Sequence, residues 1–528
     1  MDLHGAFHVY DTTLRDGAQQ EGLNLSVADK LNIARQLDGL GVGYIEGGWP
    51  GANPKDTEFF RRAASELDLQ HARLAAFGAT RRAGVAAADD PLVAALRDSG
   101  ASVVTLVAKS HDRHVELALR TTLEENLAMV RDTIEHLREH GQTVFLDAEH
   151  FFDGYRANRD YAIEVLRTAY EAGAEVAALC DTNGGMLPSW VGDVVDDVIS
   201  TTGGRVGIHC HNDTGCAVAN SLAAVDAGAT HVQGTINGYG ERTGNADLIS
   251  VVANLELKLD RAVLPPGLLS EATRIAHAVA EVTNVPPASR QPYVGTSAFA
   301  HKAGLHASAI KVDPDLYQHM DPAGVGNDMR LLVSDMAGRA SIELKGRELG
   351  FDLSGDRDLV TRITERVKVL ESRGYTFEAA DASFELLLVE EVEGHRPSYV
   401  DVESWRVITE TQPGPGKEAL SEATVKLTAA GVRYVVTGEG NGPVNALDQA
   451  LRQAIGQAYP EVAKLELIDY KVRILDQGHG TDAITRVLIE TSDGVSSWWT
   501  VGVGHNVVEA SWEALLDAVT FGLRRHHR

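Results

Sequence analysis

Eight repeats of one strand–helix unit between residues 8 and 237 constrain the fold of this chain more than any other feature. Short apolar segments predict the strands, at His8–Thr12, Tyr44–Gly48, Arg73–Phe77, Ser102–Ala108, Thr143–Asp147, Glu175–Cys180, Arg205–Cys210 and His231–Asn237. Amphipathic helical patterns separate them, among them Val27–Leu40, Pro54–Leu67, Leu123–Glu139, Ala162–Ala172, Trp190–Ser200 and Ala217–Ala227. Eight such units in roughly 250 residues are typical of a (β/α)8 barrel, which we predict for residues 1–265.

A doubly wound open sheet is the alternative α/β fold for alternating strands and helices. It usually has fewer strands and carries a glycine-rich phosphate loop after the first one. No such loop follows the first predicted strand here, so the pattern favours the barrel.

Polar side chains accumulate where the predicted strands end. A single polar residue there commonly caps a helix or faces solvent, but barrel enzymes place their catalytic groups at these same ends. The accumulation extends over seven strands and includes Arg15, Asp16, Glu46, Lys109, Asp147, Glu149, His150, Asp181, Thr182, His209, His211 and Asn245. It therefore predicts an active site at the carboxyl end of the barrel.

His209 and His211 are two residues apart on one strand, so both imidazoles lie on one face. Two histidines can simply cap a strand through hydrogen bonds. Together with Asp16 and Asn245, however, they make a set of two nitrogen and two oxygen ligands that suits Mg²⁺, Mn²⁺ or Zn²⁺. Such an open site can polarise a chelating 2-oxo acid.

Two further residues are candidates for substrate contacts at this metal. Arg15 adjoins Asp16, and a guanidinium there can stabilise an oxyanion, although a structural salt bridge is the alternative. Thr182 can hold a carboxylate or, alternatively, cap a helix. Lys109 allows a rival mechanism through a Schiff base, which the complete metal set disfavours.

Composition and charge exclude several classes of partner. The formal charge of −27 argues against nucleic acid or an anionic membrane as a main partner. No apolar run is long enough to span a bilayer, and the N-terminus lacks the pattern of a signal peptide. The three cysteines lack zinc spacing and cannot form a disulfide framework. We therefore expect a soluble, cytoplasmic protein.

Four motifs, in this order, resemble those of the metal-dependent barrel acyltransferases that include isopropylmalate, homocitrate and citramalate synthases. They are Asp11-Thr-Thr-Leu-Arg15-Asp16-Gly-Ala-Gln19-Gln, Leu179-Cys-Asp181-Thr182-Asn183-Gly-Gly, His209-Cys-His211-Asn-Asp213 and Asn237-Gly-Tyr-Gly-Glu241-Arg-Thr-Gly-Asn245. The resemblance covers the whole chain and is strongest to the citramalate synthase branch. It implies condensation of acetyl-CoA with pyruvate, followed by hydrolysis of the thioester to citramalate.

The same resemblance suggests roles for individual residues. Glu149 is the first candidate for the base that deprotonates the acetyl methyl group. His306 is the second, reaching the active site from a partner subunit, and Tyr317 would position it or the water. We also expect Gln19 and Asp147 to contact substrate.

The rest of the chain is predicted to regulate and dimerise the enzyme. Residues 266–382 look like a helical connection to the partner's active site, so we expect a homodimer. Strand patterns dominate from about residue 383 and repeat once, each half ending in a G-x-G turn and an apolar helix at Val444–Ile455 or Val507–Phe521. The dinucleotide fingerprint is incomplete in both halves. The resemblance implies an α+β regulatory domain at 383–528 that binds isoleucine as a feedback inhibitor, and a dimerisation module without ligand is the alternative.

Three other functions are compatible with parts of this pattern. A sister synthase would act on a longer 2-oxo acid, and one methylene changes discrimination by only about 1–3 kcal/mol. A lyase with a similar barrel should lack the long C-terminal region. A non-catalytic amino-acid sensor should have lost part of the metal set, which is complete here.

Overall fold

The structure, a computed structural model, describes residues 5–302, 304–310, 312–334, 338–410, 420–475 and 483–527. Contacts divide the chain into two compact units. The first is Met1–Phe299 with Met320–Asp328, and the second is Ala300–His319 with Met329–Arg528. The domain limits predicted at residues 265 and 382 stay predictions.

Eight parallel strands close into a barrel in sequence order, which confirms the predicted fold class. The strands are β1 (His8–Asp11), β2 (Tyr44–Gly48), β3 (Arg73–Ala79), β4 (Val103–Lys109), β5 (Thr143–Glu149), β6 (Val176–Asp181), β7 (Val206–Cys210) and β8 (His231–Gly234). Their helices are α1 (Val27–Leu40), α2 (Pro54–Glu66), α3 (Pro91–Arg97), α4 (Asp112–His114), α5 (Leu123–Glu139), α6 (Phe151–Ala157), α7 (Arg159–Ala172), α8 (Pro188–Thr202), α9 (Ala217–Asp226), α10 (Leu248–Lys258) and α11 (Ala272–Thr283).

Local sequence signals explain where α1 begins and ends. Ser26 accepts a hydrogen bond from the backbone of Asp29, and the Asp29 carboxylate accepts one from the backbone of Ser26. This reciprocal cap satisfies two donors that a helix start leaves unpaired. Gly41 ends the helix at φ 86°, where a Cβ would lie 2.4 Å from Cδ of Pro265. Both the conformation and the space at this position therefore require glycine.

Strand β8 is shorter than predicted. It ends at Gly234 instead of Asn237, and Asn237 has φ 60°, in the left-handed region. That conformation does not continue a strand. The glycine-rich segment that follows is therefore a loop over the carboxyl end of the barrel.

The second unit contains two copies of a three-stranded antiparallel sheet followed by a helix, which confirms the predicted repeat. Its strands are β9 (Ala300–His301), β10 (Arg330–Leu331), β11 (Val400–Glu410), β12 (Leu420–Ala429), β13 (Val432–Gly440), β14 (Glu466–Ile474), β15 (Thr485–Ser492) and β16 (Ser497–Gly504). Its helices are α12 (Gly304–Ile310), α13 (Arg339–Glu348), α14 (Arg357–Ser372), α15 (Asp381–Glu393), α16 (Pro443–Ile455) and α17 (Val507–His527).

Helix α15 corrects the prediction that strand patterns begin at about residue 383. The first strand of the repeat begins only at Val400. Residues 382–389 of α15 are all buried, so this helix carries a continuous apolar run instead of one apolar stripe. Periodicity cannot distinguish such a run from a buried strand.

None of the helices among the described residues combines the length and the apolar character needed to cross a bilayer.

Candidate active site at the carboxyl end of the barrel

Three of the four predicted metal ligands lie together, because both histidines approach one carboxylate oxygen of Asp16. Nε2 of His209 lies 3.1 Å from Oδ2 of Asp16, and Nε2 of His211 lies 3.6 Å from the same oxygen. All three side chains are buried, and their candidate ligand atoms lie within 4.8 Å of one another. Residues from the loop after β1 and from the end of β7 thus meet at one point.

The fourth predicted ligand, Asn245, lies beside His211. The two residues form an isolated antiparallel backbone bridge. The side-chain Nδ2 of Asn245 donates to the carbonyl oxygen of Tyr239 at 3.0 Å, whereas its Oδ1 is buried and accepts no hydrogen bond from the described residues. A buried carbonyl oxygen without a donor is costly. A cation would satisfy it, so the donor set fits a divalent metal.

The charges around Asp16 favour its ionised form. Burial by itself would raise the pKa of this carboxyl, but the adjacent Arg15 and the hydrogen bond from His209 hold it below its usual range. Burial likewise works against a charged His209, while the hydrogen bond and the charge of Asp16 raise the pKa of that imidazole. A buried carboxylate beside two imidazoles is a suitable cation site.

The two histidines have different partners on their other ring nitrogens. Nδ1 of His209 lies 2.9 Å from Oε1 of Gln233, which can only accept, so the ring donates there and its Nε2 lone pair faces Asp16 when the ring is neutral. Nδ1 of His211 lies 3.1 Å from a guanidinium nitrogen of Arg242, which can only donate. In both rings Nδ1 is taken by a neighbouring side chain, and Nε2 is the nitrogen that faces Asp16.

Arg15 is held by a buried carboxylate. Its Nε donates to Glu46, which also accepts from Thr12 at 2.8 Å and from Tyr10 at 2.5 Å. The guanidinium carbon lies 3.9 Å from the centre of the Phe77 ring. These contacts fix the planar cation next to Asp16, where Nη1 lies 3.7 Å from Oδ1 of the carboxylate.

The remaining predicted site residues of the barrel lie in different environments. The hydroxyl of Thr182 accepts a hydrogen bond from the backbone of His150 at 2.9 Å, so it is not a helix cap and keeps its proton to donate. Glu149 forms an ion pair with Lys109. Asp147 is buried and accepts from Gln233 at 2.8 Å. Gln19 is exposed and lines a cavity of about 280 Å³.

Comparisons with known proteins agree with this geometry. A family described as HMGL-like matches residues 6–279. The chain is 69% identical to a protein of Streptomyces coelicolor named (R)-citramalate synthase, over 99% of this chain and 98% of that protein. A Synechocystis protein with the same name is 48% identical over 98% of this chain and 96% of its own length.

The chain belongs to the (R)-citramalate synthase family. It is an enzyme, an acyltransferase. The related 2-isopropylmalate synthase of Methanocaldococcus jannaschii is 32% identical over 98% of this chain and 95% of that protein.

Two further families match the rest of this citramalate synthase family member. One, described as homocitrate synthase post-HMGL domain-like, matches residues 293–374. The other, the LeuA allosteric (dimerisation) domain, matches residues 378–523. In the second compact unit, the rings of His306 and Tyr317 lie with their centres 4.2 Å apart. That contact agrees with the predicted pairing of these residues, whose roles stay predictions.

Three residues of the site were not assigned by sequence reasoning: Gln233, Arg242 and the buried Glu46. Gln233 is the register partner of His209 on the neighbouring strand, a relationship that only the closed barrel defines. Arg242 lies in the motif between Asn237 and Asn245, and its φ of 57° is unusual for a residue with a side chain. Glu46 was recognised only as a strand-end residue. Its pairing with Arg15 follows from its burial, because a buried carboxylate needs a partner, and burial is visible only in the structure.

Proposed function

We propose that this protein condenses acetyl-CoA with pyruvate and hydrolyses the thioester, which gives (R)-citramalate and CoA. The observation that carries the proposal is the convergence of Asp16, His209 and His211 on one point. Asn245, which has a buried side-chain oxygen without a donor among the described residues, is joined to His211 by a backbone bridge. Membership of the (R)-citramalate synthase family supports the choice of substrates.

The proposed metal ligands are Asp16, His209, His211 and Asn245. A divalent cation held there (Mg²⁺, Mn²⁺ or Zn²⁺) would act as a Lewis acid on the keto group of a chelating 2-oxo acid. The loop residues around it are constrained, since Arg242 and Asn237 both hold left-handed backbone conformations. Such conformations persist where the surrounding structure imposes them, commonly at functional sites.

Arg15 is the proposed oxyanion stabiliser. As the acetyl carbon bonds to C2 of pyruvate, the keto oxygen gains the electron pair of the broken C=O π bond. A fixed guanidinium next to the metal ligand Asp16 favours that charge at no cost of reorganisation. Glu46 holds the arginine, and Thr12 and Tyr10 in turn hold Glu46.

Thr182 and Glu149 are proposed to act on the two substrates. The Thr182 hydroxyl accepts from the backbone of His150 and would donate its own hydrogen to the pyruvate carboxylate. Glu149, which forms an ion pair with Lys109, would remove a proton from the acetyl methyl group. Gln19 and Asp147 are proposed as further substrate contacts. Water then attacks the thioester carbonyl, and CoA leaves as a thiol.

His306 and Tyr317 are proposed to complete the site from the partner subunit of a homodimer. Their ring contact supports a joint role, in which Tyr317 positions the imidazole or the attacking water. His306 is the alternative base to Glu149. The match to a dimerisation domain supports the dimer.

Isoleucine is proposed as a feedback inhibitor that binds the C-terminal domain, and this enzyme would then begin a route to isoleucine. The match to an allosteric domain supports regulation by a small molecule. The effector is tested by following thiol release at increasing isoleucine, with leucine and valine as controls. Equal inhibition by all three amino acids, or by none, would contradict the assignment.

Release of free thiol from acetyl-CoA, measured with a panel of 2-oxo acids, tests the proposed reaction. We expect the highest kcat/KM with pyruvate and no release after the metal is chelated. A higher value with 2-oxoisovalerate or 2-oxoglutarate would instead indicate one of the sister synthases.

A further inference from the structure

We propose that Gln233 is a positioning residue that fixes the ligating tautomer of His209. It does so through a chain of hydrogen bonds inside the barrel, all donated in the same direction. This chain, called the histidine file below, consists of His209, Gln233, His231 and His8. The inference rests on the proposed metal site, because His209 is one of its ligands.

The file follows the register of three neighbouring strands. His209 on β7 pairs with Gln233 on β8, and His8 on β1 pairs with His231 on β8. His231 and Gln233 are two residues apart, so their side chains lie on the same face of β8. The contacts are 2.9 Å from His209 Nδ1 to Gln233 Oε1, 3.3 Å from Gln233 Nε2 to His231 Nε2, and 3.2 Å between the Nδ1 atoms of His231 and His8.

Asp147 determines the direction of the file. Its Oδ1 lies 2.8 Å from one end of the Gln233 carboxamide, and a carboxylate can only accept. That end must therefore be the NH2 group, which also donates to Nε2 of His231. The opposite end is the carbonyl oxygen, which can only accept from Nδ1 of His209.

The ring hydrogens of His231 and His8 follow from these donor and acceptor roles. Because Nε2 of His231 accepts, the neutral ring carries its hydrogen on Nδ1 and donates to Nδ1 of His8. His8 then carries its hydrogen on Nε2, which lies 3.8 Å from the carboxylate of Glu175. Every bond runs in one direction, from His209 towards His8.

The inner members of the file are buried, which favours the neutral form of His231. Gln233, His231 and His8 are completely buried, and the rings of Tyr44 and Phe145 pack against His8. Burial lowers the pKa of His231 well below its usual value. With Nδ1 held by Gln233, Nε2 is the nitrogen of His209 that faces Asp16, where the cation would bind.

The test measures Mn²⁺ affinity of the full-length protein from the electron paramagnetic resonance signal of the free ion. Gln233→Leu removes both the acceptor and the donor, and we expect binding to weaken about 10–100-fold. The matched control is Gln142→Leu, because Gln142 is also buried in the barrel but donates to the backbone of Leu96 and Ala101. It should bind within about twofold of the unsubstituted protein, since distant sites act independently.

The outcomes separate the two proposals. If the unsubstituted protein binds Mn²⁺ and Gln233→Leu binds it equally well, the role of Gln233 is wrong and the metal site stands. If the unsubstituted protein binds neither Mn²⁺ nor, by isothermal titration calorimetry, Mg²⁺ or Zn²⁺, both are wrong. If it binds only Mg²⁺ or Zn²⁺, the same two variants are compared with that ion.

Neutron diffraction of the unsubstituted protein with Mn²⁺ tests the file even if Gln233→Leu fails to fold. We expect hydrogen on Nδ1 of His209 and His231 and on Nε2 of His8. Hydrogen on Nε2 of His231 would overturn the proposal.

Discussion

His211 and Asn245 are held side by side through their backbones. Their antiparallel bridge is flanked by hydrogen bonds from Ala246 to Cys210 and from Asn212 to Gly244, both 2.9 Å long. The loop after β8 is thus fastened to the end of β7. Two proposed metal ligands, 34 residues apart in the chain, are therefore neighbours through backbone hydrogen bonds.

Replacing a proposed ligand should abolish turnover without unfolding the barrel. For His211→Ala we expect kcat to fall by at least about a hundredfold, because loss of a ligand weakens metal binding more than loss of its partner does. Thiol release and the thermal melting temperature are measured together. The control replaces the exposed residue His140 by alanine. This variant should have the kcat and the melting temperature of the unsubstituted enzyme. Full activity of His211→Ala without added metal would contradict the site.

Gly240 should be irreplaceable because of Asn245. It has φ 150°, and a Cβ there would lie 2.2 Å from Nδ2 of Asn245, so Gly240→Ala must displace that side chain. We expect at least about a tenfold loss of kcat/KM. The control is Gly141→Ala, at φ 88° with open space around it. It should cost about 1 kcal/mol of stability from backbone strain and leave activity unchanged. Equal activity losses in both variants would argue against Asn245 as a ligand.

Replacement of Arg15 by lysine should strongly reduce the activity of the enzyme. A lysine keeps the charge but loses the planar donor array that binds Glu46 and packs on Phe77. We expect kcat with pyruvate to fall about 10²–10³-fold, as on removal of an oxyanion donor, with a smaller change in KM. The exposed pair of Arg61 and Glu58 provides the control, since Arg61→Lys should be silent. A change confined to KM would indicate that Arg15 only binds substrate.

The buried carboxyl of Asp11 should make stability depend on pH. Burial raises the pKa of Asp11 from 3.8 to about 7, although hydrogen bonds from Thr13 oppose the shift. Between these values the folded protein binds more protons than the unfolded chain, so its contribution to stability is lost as pH rises. Relative to Asp11→Asn, the unsubstituted protein should lose up to about 1.4 kcal/mol per pH unit over this window.

Melting temperatures across the same pH range check this expectation. The control Asp160→Asn changes an exposed carboxyl and should follow the unsubstituted protein. An increase in the stability of the unsubstituted protein relative to Asp11→Asn, as pH rises from about 4 to about 7, would have the wrong sign.

Much of the fold followed from short-range patterns. Helices α1 and α5 lie at the predicted residues because caps and apolar spacing act within a few residues. The barrel was predictable because eight alternating units admit few topologies. Helix α15 was misread because burial on most of its surface removes the periodicity that distinguishes a helix from a strand.

The candidate ligands could be read from the sequence, through the two-residue spacing of His209 and His211 and the motifs that contain Asp16 and Asn245. Their partners, Gln233 for His209 and Arg242 for His211, could not be. A hydrogen bond between side chains that are far apart in the chain depends on how the folded barrel brings them together, and for His209 on the register between two strands. That register is set by closure of the whole barrel, whereas spacing along one strand is fixed by local backbone geometry.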